Sequence, residues 1–452
     1  MSVSLSSIAL SGIQAAEAEI AAVQSNIANA SNPNYSAESV NLAALPGPDG
    51  DGAGVQVLGT FNAQAPLLTQ QINQNQSSLN FNTAFTQVGQ VAQNAISPSS
   101  GNTLATALEN LFNSFTNLSA TPEDPAARQA VIGAAGTFAQ TAQQISSQLN
   151  TAASSELSGL NPLVDQVNQD ASQIAQLNGE ITAAQTANAG NAPALLDQRD
   201  ALINQLAGSI GATADANGNV SVGGIPLVSG TTALALSTTG SGASTTLQVS
   251  LADGSIQIPV GELGGTIGGM LAGAASVNNI QSQLNSAVTS IATAINTQQQ
   301  AGYGLDGSTN NALFLIPGGD GPIALNPAIT TQNLAAASSA AGVPGDGSNA
   351  TALAAIANQA GVDGSFPGST PGEALTQIIS GFGVSLQSAL SAQTNTSATL
   401  QSLQQLQSSI TGVSLNDQLT QLIQYQNALE AAGRALQTAN DMTSFLMQEI
   451  GQ

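Results

Sequence analysis

The residues of this chain best suited to chemistry are carboxylates. Glu180, Asp197 and Asp200 are of the type that, paired across a glycosidic bond, supplies a general acid and a nucleophile or base. Asp49-Gly50-Asp51-Gly52 and Asp215-Ala216-Asn217-Gly218-Asn219 open like calcium loops. Neither has a bidentate Glu at the twelfth position, and the first lacks an acid or amide at the fifth, so both read better as turns. Gly223-Gly224, Gly264-Gly265 and Gly268-Gly269 do not compose a dinucleotide fingerprint, which needs a preceding strand and an acid beyond it. Nothing in the sequence brings two carboxylates together, and with no Trp, three Tyr and ten Phe there is little to stack a sugar on. The expectation is no catalytic residue, no metal and no cofactor. A carboxylate-only glycan hydrolase is the remote alternative.

Composition removes most other chemistries. The 452 residues include no Cys, no His and no Lys, and three Arg stand against 26 Asp plus Glu, for a net charge of −23. Thiolate nucleophiles, disulfides, Ser-His-Asp triads, Schiff bases, zinc-His sites and P-loop lysines are all excluded. Three cations cannot neutralise a nucleic-acid backbone or hold a chain on an anionic membrane. The N-terminus, Met1-Ser2-Val3-Ser4-Leu5-Ser6-Ser7, has no basic region, which argues against a cleaved secretory leader. No run approaches the roughly 20 apolar residues of a membrane span, so a soluble protein is expected. A chain with 6% charged residues, whose surface is expected to be rich instead in Gln, Asn, Ser and Thr, suits a subunit packed among copies of itself.

The elements that must position anything functional are chiefly helices. Ile13, Ala16, Ile20, Val23, Ile27 and Ala30 are spaced three and four apart, a coiled-coil seam that stops at Asn32-Pro33-Asn34-Tyr35. Leu422, Tyr425, Leu429, Ala432, Leu436, Ala439, Thr443, Leu446 and Ile450 repeat the pattern at the other end. The two seams are natural partners and form the expected assembly interface. Each buried Ile or Leu contributes roughly 1.5–3 kcal/mol, so an isolated pair is marginal once ordering is subtracted. The ends are therefore expected to be loose in a monomer and to order on assembly.

Between the ends, four further stripes predict long helices: Leu104 to Leu118, Leu160 to Ile181, Leu263 to Ile295, and Leu400, Leu403, Leu406 and Ile410. Asp124-Pro125 is a helix start. A period of two appears at Val220/Val222, Leu234/Leu236, Leu247/Val249/Leu251 and Ile256/Ile258/Val260, with turns at Asn217-Gly218 and Asp253-Gly254. The fold class is mainly α with a small inserted β module: an elongated helical rod with terminal coiled-coil helices. A terminal domain would comprise 1–32 and 412–452, a rod 33–207 and 263–411, and the β module 208–262. The Gly/Pro-rich pieces 302–350 and 361–372 read as loops at an outer end. Arg128 and Arg199, rare cations in an acidic chain, are expected to make ion pairs within the rod.

Several of these residues form recognisable strings. Ser11-Gly12-Ile13-Gln14-Ala15-Ala16, Ser25-Asn26-Ile27-Ala28-Asn29-Ala30 and Asn32-Pro33-Asn34-Tyr35 resemble the N-terminal signature of flagellar rod, hook and hook-associated proteins. Asn34 stands where that pattern usually has Gly, and Leu429 where an aromatic is common. Gly412-Val413-Ser414-Leu415, Leu422-Ile423-Gln424-Tyr425-Gln426 and Thr438-Ala439-Asn440-Asp441-Met442 resemble the family's closing helix. In the middle, Glu123-Asp124-Pro125-Ala126-Ala127-Arg128-Gln129-Ala130, Leu195-Leu196-Asp197-Gln198-Arg199-Asp200 and Ala301-Gly302-Tyr303-Gly304-Leu305-Asp306-Gly307 are similar to the hook-associated branch at the hook–filament junction. After Phe314, longer relatives carry a large outer domain where this chain has a short Gly/Pro-rich passage.

The resemblance implies a structural protein exported through the flagellar type III pathway without a cleaved signal. It would polymerise as a homo-oligomeric ring between hook and filament, terminal helices inward. Implied partners are the hook protein, a neighbouring hook-associated protein or flagellin, and an export chaperone on the C-terminal helix. A rod or hook subunit is the alternative within the family.

Overall fold

A computed structural model describes residues 5–32, 34–46, 52–97, 103–188, 192–240, 245–251, 254–316 and 323–450. The fold is mainly α, with long helices at both termini and a small β module inserted between rod helices. Five helices form the rod: α2 (Pro66–Ile96), α3 (Leu104–Ala120), α4 (Pro125–Leu157), α7 (Gly265–Ala301) and α9 (Pro371–Thr411). The longest, α9, has 41 residues, which at 1.5 Å per residue is about 60 Å. The helix starts follow local chemistry. Asp124 caps α4 by accepting from Ala126 N, with Pro125 behind it. Thr370 and Glu373 form a reciprocal capping box ahead of α9.

The rod's main core joins these five helices and the 313–356 segment. The predicted stripe Leu104, Leu108, Leu111, Phe115 and Leu118 is fully buried along α3. Phe138 of α4 meets Phe314 edge to face at 6.1 Å. α7 lies close against α2 because Gly269 has no side chain: a Cβ there would collide with the Phe81 carbonyl oxygen. The Gly/Pro-rich segment 302–350 is largely irregular, with β10 (Phe314–Leu315) paired to β11 (Ala324–Leu325), and α8 (Ser348–Ala355) follows it.

A second core joins α5 (Leu160–Asn188), α6 (Pro193–Ile210) and the start of α7 to the β module. That module holds two small antiparallel sheets. One is β3 (Thr213–Ala214), β4 (Val220–Val222), β5 (Ile225–Ser229) and β6 (Thr232–Ala233); the other is β7 (Leu236–Thr239), β8 (Thr246–Leu251) and β9 (Gly254–Ile258). Asn217-Gly218 turns β3 into β4 with Gly218 at φ 78°. Asp253 of the second predicted turn lies outside the described residues. Leu234 falls between strands, and β5, which carries Pro226, gave no period-two signal.

Both buried arginines depart from the expected ion pairs. Arg128 is 1% exposed, and its guanidinium donates to the carbonyls of Pro122, Thr331 and Leu334 at 2.6–3.1 Å. Arg199 donates to Asn178 Oδ1 and the Ala216 carbonyl. Irregular backbone at 331–334 and 216 leaves carbonyls that need donors, and a five-donor fork answers several at once. Burial lowers the Arg128 pKa, and the Asp306 charge opposes that shift. Among the described residues the one ion pair is Arg434 with Glu430, exposed on the C-terminal helix.

The stripe on α9 is also corrected at its end. Leu400 packs with Leu68 and Ile72 of α2 in a small third cluster, but Leu406 and Ile410 are exposed. Burial returns at the end of α9, where Thr411 is covered and its carbonyl accepts from Ala37 N at 2.8 Å. Among the described residues no helix is long and apolar enough to cross a membrane.

Candidate assembly interface

The two chain ends pair as expected from their seams. α1 (Leu5–Asn29) and α10 (Leu415–Ile450) run antiparallel: Gly12 faces Ala432, where an added Cβ would meet Ala432 Cβ at 3.7 Å, and Asn26 bonds Gln418. Small residues let the backbones approach. In that register α10 extends past the level of Leu5.

Ala16, Val23 and Ala439 are buried, while Ile13, Ile20, Ile27, Leu422, Tyr425, Leu429, Ala432 and Leu436 are half-buried. The side chains of Leu446 and Ile450 lie outside the described set. Ala9, Ala15, Ala22, Asn26 and Gln418 are buried too, and the seam reading omits them. Large apolar side chains remain in the open: Leu5 and Leu10 on α1, and Leu415, Leu419, Ile423, Met442, Phe445 and Met447 on α10.

A ribbon that the periodicity does not reveal covers another face of α1. It consists of β1 (Glu38–Pro46) paired antiparallel with β2 (Gly52–Asn62). Ser11 Oγ accepts from Val55 N at 3.1 Å and donates to the Ile8 carbonyl. Gly54, at φ 113°, admits that hydroxyl, since a Cβ there would collide with it. The strands alternate half-buried and exposed residues without a strong apolar face, which is why they escape a hydrophobicity reading.

Where α1, the ribbon and α10 converge, polar groups close on Asn26, which is 1% exposed. Its Oδ1 accepts from Glu38 N at 2.7 Å and Tyr35 Oη at 2.8 Å, and its Nδ2 donates to the Glu38 carbonyl and Gln418 Oε1, each at 2.9 Å. All four hydrogen-bonding positions of the carboxamide are used. The predicted turn delivers Tyr35: Asn32 Oδ1 accepts from Asn34 N at 3.1 Å and the Asn32 carbonyl from Tyr35 N at 3.2 Å. Pro33 lies outside the described residues. From the rod, Asp197 of α6 accepts from Ser36 N at 3.1 Å and Asn62 Nδ2 at 2.9 Å.

Burial raises the Glu38 pKa, the Asp197 charge raises it further, and the hydroxyls of Ser25 and Tyr35 oppose the shift. Burial likewise raises Tyr35, and it raises Tyr425 with help from Glu19 across the helix pair. Asn26 and Asp197 both stand inside recognised strings, so the signal for them was motif membership; Gln418 carried none.

The candidate chemistry elsewhere is not assembled. Glu180 accepts from Gln176 on its own helix, while Asp197 is engaged by the two donors above and stands near Asp200, whose pKa is raised by burial and by the Asp197 charge against the opposing Arg199 charge. Asp215 accepts from Asn217 N, Asn219 N and Asn219 Nδ2, so its oxygens are turned to donors rather than a cation. Asp49 and Asp51 lie outside the described residues. Among the described residues no group of three or more acids is placed to hold a metal ion.

Rod, inserted β module and joined chain ends define a class: helical subunits whose two termini form a single antiparallel unit. Known families agree. The family model described as flagellar hook-associated protein FlgK helical domain matches residues 89–314, half of the chain, and includes the Arg128, Arg199 and Tyr303 strings. A second, described as flagellar basal body rod FlgEFG protein C-terminal, matches residues 404–449. The chain belongs to the FlgK flagellar hook-associated family.

Flagellar hook-associated protein 1 of Salmonella typhimurium is 32% identical over 338 residues, covering 69% of this chain and 59% of that protein. The protein of the same name from Escherichia coli K12 is 31% identical over 336 residues, covering 69% and 60%. The match thus spans about three-fifths of these relatives' length. The solved structure of the flagellar hook junction protein FlgK from Burkholderia pseudomallei is similar with a TM-score of 0.49 at 28% identity, over 55% of this chain and 47% of that one.

Proposed function

We propose that this protein is a structural component of the bacterial flagellum that forms the junction between hook and filament, polymerising through its paired terminal helices. One observation carries the reading: the pair of chain ends buries mainly Ala, only half-buries its large seam residues, and leaves Leu10, Leu415, Leu419 and Ile423 exposed. The predicted seam residues hold α1 to α10 within one molecule. Leu415, Leu419, Ile423, Met442, Phe445 and Met447 then remain for contacts between molecules.

Its partners are further copies of itself in a ring, the hook protein on one side, and another hook-associated protein or flagellin on the other. Before assembly, an export chaperone covers the apolar face of α10. The protein leaves the cell without a cleaved signal and performs no catalysis. The assembly domain unites α1, α10 and the ribbon packed on α1, with the remaining helices as rod and residues 208–262 as an appended β module.

Deleting residues 433–452 should leave the rod folded and stop filament growth, read as loss of swimming. A sharper variant, Leu436→Asp, places a charge in the seam and should block incorporation without lowering the rod's melting temperature. Normal swimming by the deletion strain would refute the proposal. Labelled antibody distinguishes the rod or hook alternative: staining along the whole hook, rather than at its tip, would favour it.

A further inference from the structure

The terminal unit and the rod are joined at few places, and a single side chain makes two of them. The chain crosses between them at residues 62–66, into α2, and at 411–415, into α10. Beside those crossings Ala37 N donates to the Thr411 carbonyl at 2.8 Å. Two chain crossings define an axis about which a rigid unit can still turn. Side-chain bonds from the rod to the chain beside that axis resist the rotation. α6 packs against β2, and there Asp197 Oδ2 accepts from Ser36 N while Oδ1 accepts from Asn62 Nδ2. Ser36 leads into β1 and Asn62 closes β2, so one carboxylate grips both ends of the ribbon. The ribbon lies on α1, and α1 on α10.

We infer that Asp197 is the positioning residue that fixes the orientation of the paired chain ends relative to the rod. This rests on the assembly reading, because a subunit packed among copies must present its ends at one angle. A carboxylate suits this role, because two donors arrive from different strands and its two oxygens accept both through charge-assisted bonds. Asn at this place would turn an N–H₂ toward one of the donors. Two residues on, Arg199 reaches Asn178 and Ala216, so the same turn of α6 is also tied to the β module. The clasp is thereby anchored on its rod side.

The chain has no Cys, so spin labels attach only where they are introduced. Gln24→Cys on α1 and Ser172→Cys on α5, both exposed, allow the distance between the two units to be measured in the full-length monomer. The parent should give one narrow distance peak. Asp197→Ala should lose that narrow peak while the rod's helical signal and melting temperature stay unchanged. Asn62→Leu, which keeps Asp197 and removes one donor, should broaden the peak less, and serves if Asp197→Ala does not fold. A peak as narrow in either folded variant as in the parent would overturn the inference. In cells, Asp197→Ala should reduce swimming. Normal swimming by Asp197→Ala with a broadened peak would end the positioning role alone, whereas normal swimming by the 433–452 deletion would end the assembly reading itself.

Discussion

The rod and the terminal pair use apolar side chains in opposite ways. In the rod, Phe115, Phe138 and Leu111 are fully buried, and no element needs an outside partner to cover them. Between α1 and α10 the buried positions are mainly Ala and Val, while Phe445 is 63% exposed and Ile423 60%. Both regions leave some large apolar side chains exposed, Leu67 and Val384 on the rod among them, but the rod also has a core of fully buried aromatic and aliphatic side chains that the terminal pair does not show among the described residues.

The largest effect that would break the contrast is in the rod. Phe138→Ala should lower unfolding free energy by about 3–5 kcal/mol, read from a denaturant midpoint. Next is Ala16→Leu, which overpacks the α1–α10 contact and should cost about 1–3 kcal/mol there. Faster amide exchange in α1, with the rod's protection intact, would be its mark.

Asp170 offers a smaller effect on α5. It is buried with one oxygen, Oδ2, unpartnered and the other accepting from Gln166, and burial raises its pKa. The native protein therefore holds this proton more tightly than the unfolded chain. Stability gained by protonation is present at low pH and lost as pH rises through the raised value. Asp170→Asn should raise the melting temperature at neutral pH, with the difference shrinking in acid. Glu38 follows the same sign, because its pKa is also raised. Glu38→Gln should slow exchange in the ribbon at neutral pH and have less effect near pH 4.

Smallest of all in the monomer is Phe445→Ser, which should leave stability within about 0.5 kcal/mol yet impair filament growth. A large loss of monomer stability from that change would contradict the sorting of side chains described above.

Much of this was legible beforehand. The stripes of α3, α5 and α7 gave their helices because large apolar residues at three- and four-residue spacing have one structural use. Asp124-Pro125 marked a helix start that holds in the fold. The terminal seams were visible as a pattern, but their steps mark the contact between α1 and α10 and do not reveal which large residues stay outside. β1 and β2 were missed because a ribbon lying on one helix needs no strong apolar alternation. The partners of Arg128 could not be read, since backbone carbonyls carry no sequence signature. Asp197 could be seen only as a member of a string, because its donors lie about 160 and 135 residues away.

Asn26 carries a consequence for how the molecule yields under load. Of the four hydrogen bonds on its buried carboxamide, the one to Gln418 crosses to α10, so sliding α1 past α10 by a single turn would strand two buried amides, as a buried Asn does in fixing coiled-coil register. The ends therefore resist shear.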